Sequence, residues 1–376
     1  MADTQKLSDL PDHSDLPNLS GILTVEEWLA TGRAIAAMQE PSGALPWFPG
    51  GQTDPWDHIE SAMALSATGL IAEAEAAYEW SRRTQREDGS WPIRLVVGEV
   101  TDANTDSNFC AYIAVGVWHH YLITGDVRFL EKMWPMVSSA IDLVAEFQAP
   151  GGEFYWGATY PLPAQTGAHE GMYHTALITG NASIHQALGC AILIGNELGR
   201  PVGDWESALL ALGHALRSHP ELFEPKPEYS MDWYYPVLGG AVRGRAGQEL
   251  IAVRWDDFVV TDLGIRCVDH RPWVTGAETC ELVLALDALG DTADATLLLG
   301  DMQHLRDPDG SYWTGLVFAD GKRWPVEKSC WTSAAVVLAA DALSRTTAAS
   351  GIFRDAHQVA ERIEVAGQAG CGCATA

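Results

Sequence analysis

The 376-residue sequence predicts an all-α fold. It is an (α/α)6 toroid, a double ring of inner and outer helices with short loop hairpins. Three observations lead there. One layout recurs about six times: a loop rich in Gly and aromatic residues, an acid or Asn near a helix start, an Ala/Leu-rich helix, then a break. Amphipathic helices with polar stripes lie between these repeats, so helices apolar on every face alternate with helices apolar on one. Strand-like runs are few and short.

In chain order, the repeats are "GALPWFPGGQTDPWDHIESAMALSATG", "EVTDANTDSNFCAYIAVGVWHHYLITGD", "GNASIHQALGCAILIGNELG", the degenerate "YSMDWYYPVLGGAVRG", "RPWVTGAETCELVLALDALGD" and "GKRWPVEKSCWTSAAVVLAADALS". In the first, Asp54 is a good N-cap, Pro55 suits the first helical position, and Asp57 faces the positive end of the helix dipole. The striped helices are "TVEEWLATGRAIAAMQ", with Thr24 and Glu27 as a capping box, "AEAEAAYEWSRRTQ", "DVRFLEKMWPMVSSAIDLVAEFQ", "DWESALLALGHALRS" and "DTADATLLLGDMQHL". The runs "WPIRLVVGEV", "DFVVTDLGIR" and "SYWTGLVFAD" read as hairpins, and "RWDDFVV" as a functional loop or a solvated turn. The expected organisation is a flexible tail over 1–20, one toroid over 21–366, and a second flexible tail over 367–376 that holds a C-x-C pair.

Apolar residues make up 47% and charged residues 19%, enough for a sizeable core, and the formal charge is −27. Such a surface repels nucleic acid and anionic membrane and favours a neutral or cationic small molecule, or an uncharged polymer. No apolar run reaches the length of a membrane span, and the start lacks the hydrophobic stretch of a signal peptide. Seven cysteines, mostly isolated in apolar stretches, read as reduced thiols in a cytoplasmic protein. Cys267, Asp269 and His270 are close in sequence, but no further ligands at zinc spacing accompany them, so no metal is expected. Phosphate-binding, dinucleotide-binding and nucleophile-elbow glycine motifs are absent from the sequence. Fifteen tryptophans exceed what cores absorb, which is compatible with a homodimer.

If the inner helices all run the same way, their starts meet at one mouth. That would bring together Asp54, Asp57, His58 and Glu60; Thr105, Asp106, Ser107 and Asn108; Asn181 and His185; Asp232, Trp233, Tyr234 and Tyr235; Glu278 and Glu281; and Glu327 and Lys328. The loops feeding it carry Trp47, Phe48, Tyr155, Trp156, Tyr160, Trp273 and Trp324. Acids ringed by Trp and Tyr fit a saccharide, because flat rings stack on apolar sugar faces and carboxylates accept hydrogen bonds from hydroxyls.

"RRTQREDGSWPIR", with Gln85, Asp88, Gly89 and Trp91, resembles the Q-x-x-D-G-S-W repeat of the squalene cyclase and prenyltransferase superfamily, and "LRDPDGSYWTG" is a weaker copy. The likeness is local. It implies helix pairs tied together but no cyclase chemistry, since the D-x-D-D motif is missing. Over most of its length, through "QEPSGALPWFPGGQTDPWDHIES", "YSMDWYYPVLGG" and "RPWVTGAETCELVLALDALGD", the chain resembles the mycobacterial methylmannose polysaccharide hydrolases. These are endo-α-1,4-mannosidases of a 3-O-methylmannose polymer. The resemblance implies a toroid, no required cofactor, and two catalytic acids that best match Asp57 and Glu278. The residues themselves leave Asp54, Glu60 and Asp106 as competitors.

A glycosidase needs one carboxyl protonated and one ionised. Glu278, beside small apolar residues, is expected to be the general acid. Asp57, at a helix start beside His58, is expected to stay ionised as the base. By analogy with other (α/α)6 hydrolases the expected outcome is inversion. Trp47, Trp56, Tyr155, Trp156, Trp233, Tyr234 and Trp273 are expected to wall the subsites, with Asp54, His58, Glu60 and Asp106 also touching substrate. The alternative readings are a terpenoid cyclase-like enzyme, a sugar epimerase or phosphorylase, and a carbohydrate-binding toroid without catalysis.

Overall fold

A helix apolar on every face has to be covered all round, whereas a striped helix needs cover on one side only. This rule sorts the helices of the computed structural model, which describes residues 14–161 and 171–367. In chain order they are α1 (Val25–Met38), α2 (Pro55–Ala67), α3 (Ile71–Thr84), α4 (Ser107–Ala111), α5 (Ile113–Thr124), α6 (Val127–Ala145), α7 (Ile178–Glu197), α8 (Gly203–Ser218), α9 (Ser230–Leu238), α10 (Gly244–Phe258), α11 (Gly276–Leu289), α12 (Thr292–Asp301), α13 (Cys330–Ser344) and α14 (Gln358–Gly367). Every residue of α2 is buried, and so is every residue of α13 but Trp331. α6 buries a single stripe through Leu130, Met133, Val137, Ala140, Ile141 and Val144.

The buried helices α2, α5, α7, α9, α11 and α13 pack each on the next, and α13 packs back on α2. Outside them, α3 packs on α2, α6 on α5 and α7, α8 on α7, α10 on α9, and α12 on α11 and α13, while α1 covers α13 and α2. The sequence pattern missed α10. It buries only Gly247, Ile251 and Phe258, too narrow a stripe to read, and in "RWDDFVV" the first five residues are its last turn while the two valines open a strand. Among the described residues no helix is long and apolar enough to cross a membrane.

The three hairpins form and join into sheets. β1 (Gln52–Thr53), β2 (Arg94–Val96) and β3 (Glu99–Asp102) make one, in that order. β4 (Thr105–Asp106), β5 (Gly157–Ala158) and β6 (Met172–Tyr173) make a second, which the sequence pattern did not show. β7 (Val259–Val260), β8 (Gly264–Arg266), β9 (Trp273–Thr275), β10 (Gly315–Val317) and β11 (Lys322–Arg323) form a five-stranded antiparallel sheet in consecutive order.

Outer helices are tied to their successors by one repeated turn. Gln85 ends α3, and its amide donates to Gly89 O and to Met136 O of α6, both at 2.9 Å. Gln39 joins α1 to Glu73 O of α3, and Gln148 joins α6 to Ala208 O of α8, in the same way. After α12, Arg306 takes the glutamine's place and bonds Glu27 of α1, so the outer layer also returns to its beginning. Each turn has its glycine four residues on. Gly89 has φ +90°, and a Cβ there would lie 2.4 Å from the Ser139 carbonyl. Gly89→Ala is therefore expected to cost about 2–4 kcal/mol from backbone strain plus steric displacement of α6. Calorimetric melting checks it, with exposed Glu87→Ala as the neutral control.

Residues 14–20, expected in a tail, are packed instead. Leu16 and Leu19 are fully buried, Asp15 bridges to Thr24, and Asn18 donates to Leu343 O at 3.1 Å. The two leucines join the core, and Asn18 fixes the segment beside the C-terminal end of α13. The remainder of that expected tail, and the C-x-C pair of Cys371 and Cys373, lie outside the described residues. After α13 the chain crosses the C-terminal ends of the inner helices. Ile352 and Phe353 enter the core, Gln186 of α7 and Arg243 beside α9 donate to the Ile352 and Phe353 carbonyls, and Arg345 and Arg354 bind Asp287 of α11. This end of the ring is closed.

Candidate active site

The opposite end gathers the helix starts, most of them tied to the next. The start of α13 donates from Cys330 N to Trp47 O, ahead of α2. Asp54 caps α2 by accepting Asp57 N at 2.9 Å, and Asp106 caps α4 by accepting Phe109 N at 3.0 Å. Ser107 N of α4 donates to Trp156 O, and Trp156 N in turn to Thr175 O ahead of α7. Thr179 of α7 donates its hydroxyl to Asp232 of α9 at 2.6 Å. Ser230 N of α9 donates to Cys267 O in the approach to α11, and Gly276 N of α11 donates to Thr314 O, which lies in the approach to α13. Residues far apart in sequence thus share a rim.

Aromatic and carboxyl side chains fill the ring below that rim. Trp56 of α2 meets Tyr235 of α9, which stands across the ring, with ring centroids 5.7 Å apart, and Tyr112 at 5.5 Å. Its indole N–H donates to Glu60 Oε2 at 3.2 Å. Tyr234 and Tyr235 both donate to Glu281, at 2.5 and 2.7 Å. This layer and the C-terminal crossing together close the ring beneath the rim.

The carboxyls act on one another. Glu281 lies well above the ordinary range because it is buried and because Glu60 and Glu278 repel its charge. Burial pushes Glu60 up to about 8 and Asp106 up to about 7. Asp57 is also well above its usual range, by burial first, then by the charge of Asp54, its own hydrogen bond to Asp54, and the charges of Glu60 and Glu281. Asp54 already accepts a backbone N–H, which favours its charged form, so Asp57 is the more strongly raised of this pair. These effects oppose the helix dipole and disfavour the ionised Asp57 that its position at a helix start led us to expect. Glu278 is raised by burial, with the side chains of Thr275 and Cys267 favouring its charge.

Several expected substrate contacts are structural. His58 Nδ1 accepts Leu45 N at 3.1 Å and its Nε2 donates to Ala77 O at 3.0 Å, beneath Trp80. Both nitrogens are occupied and the ring points away from the carboxyl cluster. Trp233 is buried against α10, with its N–H on the Leu250 and Ile251 carbonyls and its ring stacked on Phe258. Tyr234 is fully buried and reaches the site through Glu281 and the ring of Tyr235. Trp56 and Glu60 form the floor, not a wall.

Trp47, Tyr155, Trp156 and Trp273 are half-buried near the rim, as is Asp106. Trp47 donates to Glu327 at 2.6 Å beside Trp331, and Trp156 stacks on Tyr173. The sequence reading placed Glu281 and Tyr235 at the mouth but did not single them out for the site. Their spacing carried a signal: Glu281 lies three residues after Glu278, one turn along the same face. Among the described residues, Asn108 Oδ1, Ser230 Oγ and Asp232 Oδ2 at these helix starts are buried without a hydrogen-bond partner.

No protein-family model matches the chain. It is 57% identical over 364 residues to the MMP endo-(1,4)-3-O-methyl-alpha-D-mannosidase of Mycolicibacterium hassiacum, across 97% of this chain and 98% of that protein. A glycosidase solved in complex with glucose has a TM-score of 0.65 at 16% identity, covering 86% of this chain and 97% of its own. A D-mannose isomerase gives 0.62 at 12% identity, with 84% and 96% covered. Cellobiose 2-epimerase from Spirochaeta thermophila gives 0.58 at 13% identity, with 84% and 93% covered. At these identities the structural likeness is one of fold.

Proposed function

The chain belongs to the family of the mycobacterial MMP endo-(1,4)-3-O-methyl-alpha-D-mannosidases, and we propose that it works through a carboxyl pair, Asp57 and Glu278, at the mouth of an (α/α)6 toroid. It is a glycoside hydrolase that cuts 1,4-linked 3-O-methyl-α-mannose polysaccharide internally. The observation that carries the mechanistic reading is that Asp57 and Glu278, distant in sequence, meet at one buried carboxyl: the charge of Glu281 raises Asp57, and the charge of Glu278 raises Glu281.

The roles run opposite to the sequence expectation. Asp57 holds the proton shared with Asp54 and donates it to the leaving glycosidic oxygen. Glu278, less strongly raised, activates the attacking water. In the ring α13 stands between α2 and α11, and this supports the wider carboxyl spacing of an inverting enzyme, roughly 6.5–9.5 Å, with water between the two groups. Asp54 and Glu60 tune Asp57, and Glu281 sets the field for both partners. Trp47, Tyr155, Trp156 and Trp273 offer half-buried rings to the apolar sugar faces. No step requires a metal or cofactor.

Incubation with a panel of α-mannans, methylated and unmethylated, tests this reading by mass spectrometry. The expected products are internal fragments of the 1,4-linked methylated polymer, and proton NMR at early times should show the β-anomer first. Exclusive release of monosaccharide from chain ends would overturn the endo reading, and an α-anomer first would overturn inversion.

A further inference from the structure

A ring closed beneath its rim constrains an enzyme that cuts inside a chain. Sugars flanking the scissile bond cannot continue through the ring, so they must leave sideways across the rim. We infer that Trp324 and Val326, with Trp273, form an outer subsite that holds a flanking 3-O-methylmannose unit of the polymer; this rests on the hydrolase reading above.

The platform is built and stands beside the site. Trp324 N donates to Gly315 O at 3.2 Å, and its carbonyl accepts the Trp273 indole N–H at 2.7 Å. The two rings meet edge-on with centroids 4.7 Å apart. Gly315 leaves the strand bare beneath them, since a Cβ there would lie 2.5 Å from Trp273 Nε1. Gly315 pairs with Thr275, the residue before α11, so Trp324 lies two strand spacings, roughly 10 Å, from the helix start that carries Glu278.

Despite this fixed backbone, Trp324 remains 54% exposed and Val326 81% exposed. Two large apolar side chains in water beside the acidic rim suit an occupant that is apolar on one edge and uncharged. A 3-O-methyl group replaces a hydroxyl donor with a methyl, which suits an indole face and a valine. A neutral glycan also escapes the repulsion that the net charge of −27 exerts on anions.

The test compares Trp324→Ala and Trp324→Phe in the full chain on a long 3-O-methylmannose polysaccharide and on a short methylated oligosaccharide. For Trp324→Ala, kcat/KM on the long substrate relative to the short one should fall about tenfold, through KM, as expected for loss of one aromatic anchor. Trp324→Phe should recover most of it. Equal losses on both substrates, or none on the long one, would overturn the subsite. So would a changed sedimentation coefficient with an unaltered substrate ratio, which would assign the patch to a second copy of the chain. Calorimetric titration of the polymer into Glu278→Gln protein, with and without Trp324→Ala, separates the two readings. If the unaltered chain cuts nothing, the hydrolase reading falls, and weaker polymer binding in the Trp324→Ala background still supports the subsite.

Discussion

Asp57→Asn and Glu278→Gln should each lose about 10²–10⁴-fold in kcat on the polymer, the usual worth of a positioned acid or base, without a change in melting temperature. The two losses should then part company. A substrate whose leaving group is an acidic phenol needs little protonation, so Asp57→Asn should regain much of its rate there while Glu278→Gln stays inactive. Azide should restore turnover to Glu278→Ala and do nothing for Asp57→Asn. A tenth of normal activity in Glu278→Gln, or the reverse pattern of rescue, would sink these assignments. The pH profile adds a signed check. Activity requires Glu278 ionised and Asp57 protonated, so it rises as Glu278 loses its proton and falls as Asp57 does. Asp54 raises Asp57 both by its charge and by accepting its proton. Asp54→Asn keeps a good N-cap but removes both effects, so the basic limb should move to lower pH while the acidic limb stays in place.

The ring was readable in the sequence because burial on all sides and burial on one side leave different patterns. Within it, the direction of each side chain was not readable. Successive helical residues turn by about 100°, so neighbours at one helix start face different things. Asp57 faces Asp54 and the carboxyl cluster, but His58 turns to the Leu45 and Ala77 backbone. Trp233 points out to Phe258, while Tyr234 and Tyr235 hold Glu281. A protonation state depends on the whole cluster. The dipole argument for Asp57 used one helix, whereas Asp54, Glu60 and Glu281 come from two and act together. Residues 14–20 were missed for a similar reason: two leucines among acids and prolines acquire meaning only once the core they join exists.

Asp287→Ala should be the most destabilising single change at the closed end. In sequence, this acid in the last turn of α11 looks misplaced, because a helix C-terminus repels negative charge. The structure supplies the reason. Asp287 is 2% exposed, its Oδ1 accepts Arg345 at 2.6 Å, and its Oδ2 accepts Arg345 at 2.8 Å and Arg354 at 2.9 Å. Removing the carboxylate leaves two guanidiniums facing each other across a lost counter-charge. Both are about one-third exposed and can partly rehydrate, so the cost should lie near the low end for a broken buried pair, about 3 kcal/mol. The melting temperature should fall by about 5 °C. Asp287→Asn keeps acceptor geometry and should lose less. Because both arginines belong to the crossing segment, the loss should be local before it is global. Amide exchange at Ile352 and Phe353 should accelerate in Asp287→Ala while α2 and α13 keep their protection. Uniform acceleration would mean instead that this segment does not open independently of the ring.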